Sequence, residues 1–306
     1  MVSVIIPNYC HAQYLRERID SVLAQTYKDF EVIILDDCST DNSREVIESY
    51  RGREHVAHIV YNEQNSGSPF KQWQKGVELA KGEYIWIAES DDVAYDTLME
   101  ECVKALDANK NASLAFVDCE FIDGESKHLK FTNLSRKLAF YCSKNRTFTG
   151  KKFVEKRMLF RNYVMNASMA IFRKDAMPKD DYYSTFRSCG DWLFWSEVAL
   201  EHDVVYVNKP LNKFRHHKSS TTRNSIRDFN TLVEWRRLVE RILDMVNASN
   251  ACRTYAWLKY AKRVRYHIRR FGCPKSDYNR WLDGLSYPYR NFSWWKLFKR
   301  RYWIGE

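Results

Sequence analysis

Four short stretches of this 306-residue chain carry side chains suited to chemistry. The first is Tyr84-Ile-Trp-Ile-Ala-Glu-Ser-Asp-Asp92, an apolar run that ends in two adjacent carboxylates, Asp91 and Asp92. At the carboxyl end of a strand in an α/β protein such acids open onto the ligand crevice. They offer hard oxygen ligands for Mg²⁺ or Mn²⁺ on a diphosphate. An Asp-rich turn is the bland alternative. The second stretch, Pro7-Asn-Tyr-Cys-His11, places an aromatic ring and polar groups after another apolar run, Val2–Ile6. That composition suits a flat base stacked at Tyr9, with Asp37, at the end of a further run, accepting a hydrogen bond from a uracil-like N3–H. The third, Cys189-Gly-Asp-Trp-Leu-Phe-Trp195, offers one acid, Asp191, at the start of a helix, where a capping role would also suit it. The fourth is Phe214-Arg-His-His-Lys-Ser-Ser-Thr-Thr222, a basic stretch with two histidines.

The elements that must position these groups alternate. Val2–Ile6, with its β-branched residues, and Phe30–Leu35 read as buried strands, and Val56–Tyr61 and Tyr84–Ala88 as a third and a fourth strand. Between them, helices follow from the spacing of Leu15, Ile19 and Val22, from the cap residues Ser39–Ser43, and from Pro69–Lys81 stopped by Gly82. Tyr95–Asn109 is a further amphipathic helix. This order predicts a parallel sheet covered on both faces. Beyond residue 110 the pattern loosens: strands over Leu114–Ile122 and Ala167–Phe172, a long loop at 124–148, and helices at Thr149–Leu159 and Asp191–Glu201. From Asn224 onward only helices are expected, at 225–247, 251–270 and 275–284.

Glycine positions exclude several nucleotide-binding folds. The first glycine is Gly52, whereas dinucleotide folds and P-loops need glycines directly after their first strand. Eight cysteines stand far apart without a C-x-x-C pair, which reads as buried thiols of a reducing cytosol. Met1–Pro7 is short for a signal peptide's hydrophobic region and lacks a basic flank. No uncharged apolar run approaches the ~20 residues of a transmembrane helix. The net charge of +10 is concentrated: residues 221–306 hold 19 Lys/Arg against 7 Asp/Glu and six of the ten tryptophans.

Val2-Ser-Val-Ile-Ile-Pro-Asn-Tyr9, then Ile19–Asp41 with its Leu-Ala-Gln-Thr-Tyr and Leu-Asp-Asp-Cys-Ser-Thr-Asp, resembles the opening of the family 2 glycosyltransferases. Asn65-Ser-Gly67, Glu78–Ile85 and Ser90-Asp-Asp92 continue the likeness, which is dense to about residue 100 and sparse afterwards. The resemblance implies a GT-A fold: a Rossmann-like, mostly parallel sheet flanked by helices. A catalytic domain would cover 1–222, with a nucleotide-binding half at 1–100 and an acceptor half at 101–222. A basic, aromatic-rich helical extension would follow at 223–306.

By the same resemblance, Pro7, Tyr9 and Asp37 would contact the base and Lys71 the phosphates. Asp91 would lie near the ribose, and Asp92 would ligate Mn²⁺ or Mg²⁺. The family's usual Ala-Arg-Asn is replaced here by Lys71-Gln-Trp73, and Ser90 stands for the first acid of its Asp-x-Asp. Asp191 would be the base of an inverting transfer, although Gly190 replaces the Glu that many relatives carry before it. His217, from an Arg-x-His-x-x-Ser pattern, would complete the metal site or touch the diphosphate. No Gln-x-x-Arg-Trp follows, so a non-processive enzyme adding one sugar is expected.

The implied donor is a nucleotide sugar, with UDP favoured, and the implied acceptor a saccharide or lipid-linked saccharide of surface polysaccharide assembly. A non-catalytic nucleotide- or glycan-binding scaffold is the rival reading, and a nucleotidyltransferase is disfavoured by the missing Gly-rich loop. The basic aromatic stretch at 253–303 suits either an anionic membrane surface, on the inner face of the cytoplasmic membrane, or packing on the catalytic domain. Nucleic acid is not an expected partner.

Overall fold

The computed structural model describes residues 1–129, 144–217 and 230–272. The expected helix at 275–284, the domain boundary at 222/223 and most of the loop at 124–148 lie outside those residues. Four strands appear where the sequence places them: β1 (Val2–Asn8), β2 (Phe30–Asp36), β3 (Val56–Tyr61) and β4 (Tyr84–Ile87). They lie side by side as β3-β2-β1-β4, all parallel. Every residue of β1 and β2 is buried, which explains why both read as continuous rather than alternating apolar runs. The intervening helices are α1 (Ala12–Leu23), α2 (Ser43–Glu48) and α3 (Pro69–Leu79), and both α1 and α3 pack on β1.

The parallel expectation stops at β4. The two-residue strand β5 (Val93–Ala94) follows, then α4 (Leu98–Ala108), β6 (Ala112–Ile122) and β7 (Arg146–Phe148). A short helix α5 (Gly150–Phe153) runs into a π-turn at Val154–Met158, and β8 (Ala170–Arg173) starts after a 3₁₀ turn at Ala167–Met169. β8 is antiparallel to both β4 and β6. Helix α6 (Gly190–Leu200) leads into β9 (Asp203–Arg215), the longest described strand, which the sequence reading did not identify. β9 is parallel to β6 and antiparallel to β5 and β7. Asn208, Lys209, Pro210 and Asn212 interrupt its apolar pattern, and its register against β6 shifts at that point. Neither a strand period nor a continuous run was there to be read.

The tail folds back on this body. Helices α7 (Asn230–Met245) and α8 (Asn250–Phe271) follow the expected positions. Leu238, Ile242, Leu243, Val246 and Ala256 belong to the same hydrophobic core as β1 and β6. Leu232, Tyr260, Ala261 and Val264 seal the two helices against each other. For the described part of 253–303, packing on the body that holds the sheet is therefore what the structure contains. Tyr266 alone among its large aromatics is strongly exposed, at 59%. Of the cysteines, Cys102, Cys119 and Cys189 are buried as expected, whereas Cys10, Cys38 and Cys252 are half-buried.

One close approach fixes the corner where α5, α6 and β9 meet. A Cβ on Gly150 would lie 1.9 Å from the Ala199 carbonyl oxygen and 2.0 Å from that of His202. Both obstacles are backbone, so no rotamer change relieves them. Gly150→Ala should therefore destabilise the protein by roughly 1–3 kcal/mol, the usual cost of overpacking. A urea titration would read this as a lower midpoint at unchanged slope.

Candidate active site

The strand ends converge on one crevice. After β1 the chain turns through Tyr9, 49% exposed, and Cys10, whose φ of 55° lies in the left-handed region. Cys38 makes the matching turn after β2 with φ 63°. Asn8 Nδ2 donates to Asp36 Oδ1 at 2.7 Å and the Cys10 amide to Ser39 Oγ at 2.8 Å, tying the two turns together. Pro7 is buried in β1, so Tyr9 is the part of this turn that a flat ligand can reach.

Asp37 is 5% exposed and organises the loop before α3. Its Oδ1 accepts from Asn62 Nδ2, the Ser66 amide and Gln72 Nε2, at 2.7, 2.9 and 3.0 Å. Its Oδ2 accepts from Ser66 Oγ at 2.7 Å. A carboxylate has about four acceptor sites, so only Oδ2 keeps capacity for a ligand. Lys71 is exposed on the first turn of α3, and its amine donates to the Ser66 carbonyl at 3.1 Å.

The adjacent acids face opposite ways. Asp92 is fully buried: Oδ1 accepts from the Arg215 amide at 2.9 Å, and Oδ2 lies 3.9 Å from the Arg18 guanidinium. Burial first, and then the charge of Asp91, push its pKa up to about 6. Asp91 Oδ2 instead meets His217 Nε2 at 2.9 Å. Burial opposes its ionisation, but the hydrogen bond from His217 and the nearby imidazoles outweigh that, and its pKa falls below the ordinary value. His11 joins them, with one ligand atom each from His11, Asp91 and His217 lying within 4.8 Å of one another. The carboxylate beside the histidine is thus Asp91, whereas Asp92, expected as the metal ligand, meets the Arg215 amide and Arg18.

This trio fits a divalent cation. Two ligands at right angles, each about 2.1 Å from an ion, are separated by about 3 Å, close to the Asp91–His217 distance. Burial lowers the pKa of His11, favouring the neutral imidazole that a metal requires. A mixed nitrogen and oxygen set suits Mn²⁺ better than Mg²⁺. Nothing local marks His11 as a ligand, because its partners Asp91 and His217 lie 80 and 206 positions away in the chain.

Asp191 is the second residue of α6, and the capping position belongs to Cys189, whose side chain makes no cap bond. Asn162 Nδ2 donates to Asp191 Oδ2 at 3.0 Å. Burial pushes the Asp191 pKa up to about 6, although that bond and backbone amides at the helix start pull it down. The residue before it has no room for a side chain. A Cβ on Gly190 would lie 2.3 Å from the Tyr183 carbonyl oxygen and 2.6 Å from the Phe70 ring, so the family's Glu at this place is sterically excluded. The tail holds this helix start from behind. Glu234 of α7 accepts from the amides of Arg187 and Ser188 at 2.7 and 2.8 Å and from the Ser188 hydroxyl.

The Glycosyl transferase family 2 model matches residues 3–179, more than half of the sequence. The chain belongs to that family. GlyG of Streptococcus pneumoniae, a glycosyltransferase, is 36% identical over 100 residues, 33% of each chain. TuaG of Bacillus subtilis, named for teichuronic acid biosynthesis, is 40% identical over 92 residues, 30% of this chain and 36% of its own. The match to this chain thus spans about a third of the length of either relative. An uncharacterised glycosyltransferase of Methanocaldococcus jannaschii is 33% identical over 219 residues, 70% of both chains. Among solved structures, S. aureus TarS 1–349 with UDP-GlcNAc has a TM-score of 0.66 at 16% identity, covering 92% of this chain and 78% of that one. The mannosyltransferase PcManGT of Pyrobaculum calidifontis, with GDP-Man and Mn²⁺, has a TM-score of 0.56 at 17% identity, covering 94% and 81%. The shared fold is thus the GT-A fold of family 2.

Arg215 joins the pieces of the His11–Asp91–His217 cluster. Its guanidinium, 1% exposed, donates to the carbonyls of Asp91 and Asp123, to Ser126 Oγ and to Glu17 Oε2. Removing one partner of a fully buried ion pair costs 3–5 kcal/mol, and the half-exposed Glu17 argues for the low end. Arg215→Met should lower stability by about 3 kcal/mol, read by urea denaturation. Stability within about 0.5 kcal/mol of the parent, the usual range of an ordinary surface change, would refute this role.

Proposed function

We propose that the protein is an inverting, metal-dependent, non-processive glycosyltransferase. It moves one sugar from a nucleotide-diphosphate donor, UDP by preference, to a saccharide or lipid-linked saccharide acceptor of surface polysaccharide assembly. The observation that carries this reading is the pairing of two sites: the Asp91–His217–His11 cluster and a buried Asp191 with a pKa near 6. Complexes of TarS with UDP and UDP-GlcNAc support the donor class. The name of TuaG supports the type of polymer.

In this reading Tyr9 stacks on the base, the free lone pair of Asp37 Oδ2 takes its N–H, and Lys71 approaches the phosphates. Asp91, His217 and His11 hold Mn²⁺ or Mg²⁺, and Asp92 braces the strand end beneath them. The ion supplies Lewis-acid charge that stabilises the departing diphosphate. Asp191 accepts the acceptor's hydroxyl proton as that oxygen bonds to the anomeric carbon. The bond from that carbon to the phosphate oxygen breaks, and its electron pair leaves with the nucleotide diphosphate. A base with pKa near 6 is ionised at neutral pH yet more basic than an ordinary carboxylate. No described helix is long and apolar enough to cross a membrane. Action in the cytoplasm, on the inner membrane face, accords with a nucleotide-sugar donor.

Asp191→Asn should lower transfer by about 10²–10⁴-fold while leaving donor affinity nearly unchanged by calorimetry, and full activity in that variant would exclude it as the base. Because Asp191 must be ionised, activity should rise with pH and level off above about 6, with close to a tenfold loss per pH unit on the acid side. A rate flat from pH 5 to 7 would contradict that assignment.

The metal assignment has its own test. Changes to outer-shell partners alone weaken metal binding about 10–100-fold, so Asp91→Asn and His217→Ala should each cost at least about tenfold. Electron paramagnetic resonance of free Mn²⁺ would measure it, and Mn²⁺ affinity unaltered in both variants would rule the cluster out.

A further inference from the structure

The wall behind Asp191 contains a pocket that the reaction as described does not use. It lies where α6, α7 and α8 meet the segment after the π-turn, with a cavity volume of about 360 Å³. Its floor is aliphatic and aromatic: Leu159, Trp192, Trp235, Leu238, Val239 and Ala256. Trp192 follows Asp191 directly in the chain, and its indole Nε1–H is pinned to the Met158 carbonyl at 2.6 Å. The pocket therefore shares a rigid wall with the candidate base.

The charged residues lining it are Lys259, Lys262 and Arg263, and none of its described lining residues is acidic. Arg263 lies between two indoles, its guanidinium carbon 4.4 Å from the Trp235 ring centroid and 5.4 Å from that of Trp192. Its hydrogen bond goes to a neutral partner, the Phe160 carbonyl at 3.3 Å. Burial, and the like charge of nearby Arg161, pull its pKa down to about 10. Arg161 Nη2 is itself buried without a hydrogen-bond partner. Two guanidiniums that repel each other, set in apolar surroundings, would be relieved by an anion.

We propose that this pocket binds the anionic, amphiphilic end of a lipid-diphosphate acceptor, with the diphosphate at Lys259, Lys262 and Arg263 and the first units of the hydrocarbon chain on Leu238, Val239 and Ala256. A volume near the lower end of the range for small-molecule pockets accommodates a headgroup and the start of a chain, with the rest remaining in a bilayer. An anionic saccharide would use the same cations and could stack on indoles. The aliphatic side chains of Leu159, Leu238, Val239 and Ala256, however, offer it no hydrogen bonds, and the indole faces are already taken by Arg263. The aliphatic floor therefore favours a hydrocarbon chain. The lipid end so placed would lie beside Trp192, the residue that follows Asp191 in the chain. This inference rests on reading Asp191 as the base, because that is what makes the neighbouring pocket an acceptor site.

The test is calorimetric titration of the full chain with geranyl diphosphate in EDTA, which keeps the diphosphate away from the metal cluster. Inorganic pyrophosphate, geraniol and a hexuronic acid disaccharide serve as comparison ligands. Geranyl diphosphate should bind one to one and at least tenfold tighter than any of them. Lys259→Gln/Lys262→Gln, both exposed positions, should weaken it at least tenfold, and Val239→Gln should weaken it without that loss of charge. Equal affinity for pyrophosphate would reduce the pocket to an anion patch, and equal affinity for geraniol would remove the charged half of the proposal. Tighter binding of the disaccharide would make it a saccharide subsite, and affinity unaffected by the variants would place the ligand elsewhere; each of these results overturns the proposal.

UDP binding with Mn²⁺, measured on the same preparations, separates the two readings. UDP binding without geranyl diphosphate binding refutes the pocket and leaves the donor site intact. The opposite result refutes the nucleotide-sugar reading while the pocket stands as a lipid-diphosphate site.

Discussion

The buried guanidinium of Arg215 is the constraint on which the candidate site depends. It stands at the end of β9 and reaches back to Asp91, Asp123, Ser126 and Glu17, while its amide takes Asp92 Oδ1. Burying an arginine costs least when its donors are satisfied, and partners from three separate regions meet the guanidinium of Arg215. That requirement fixes the end of β9 against the end of β4. His217, two residues further on, is thereby delivered to Asp91. Arg18 serves the same loop from the other side, donating to the Glu89 carbonyl at 2.8 Å beneath Asp92.

The acids of this loop show how burial sorts like groups into unlike roles. Glu89, Asp91 and Asp92 lie within four residues of one another, and ionising all three without counter-charge would be costly. Burial, followed by the charges of Asp91 and Asp92, raises Glu89 to about 8, and Asp92 rises to about 6. Asp91, with two imidazoles beside it, moves the other way. Of the three, the acid that ionises most readily is therefore the one beside the imidazoles. Asp191 is treated differently, with burial partly offset by Asn162 and a helix start, a balance suited to accepting a proton.

The tail is part of the same construction and not an appendage. Glu234 grips the chain just ahead of α6, Arg241 pairs with Glu197 on that helix, and α7 and α8 add residues to the main core. The basic composition that suggested a partner surface is divided accordingly. Trp257 and Tyr260 pack against the hydrophobic interior, while Lys259, Lys262 and Arg270 line a pocket or face outward.

The amino-acid sequence by itself determined the elements of the first half, because the buried strands β1, β2 and β4 are continuous apolar runs and the helices between strands carry a 3.6-residue period. It also determined the family likeness, which rests on the motifs of that half, and it singled out Asp37, Asp91, Asp92, Asp191 and His217 as unusual. It could not say which of two adjacent carboxylates faces the crevice. Neighbours at a strand end point to opposite sides, and the side is set by Arg18 and Arg215, which lie 74 and 123 positions from Asp92 in the chain. Nor could it bring His11 to His217, since β9 has no apolar period. The exclusion of Glu at position 190 by Phe70 and the Tyr183 carbonyl was equally out of reach. Local pattern encodes local structure, whereas these decisions were made by contacts between segments far apart in the chain, or by the backbone of one packing on another. Only the tertiary structure contains those contacts.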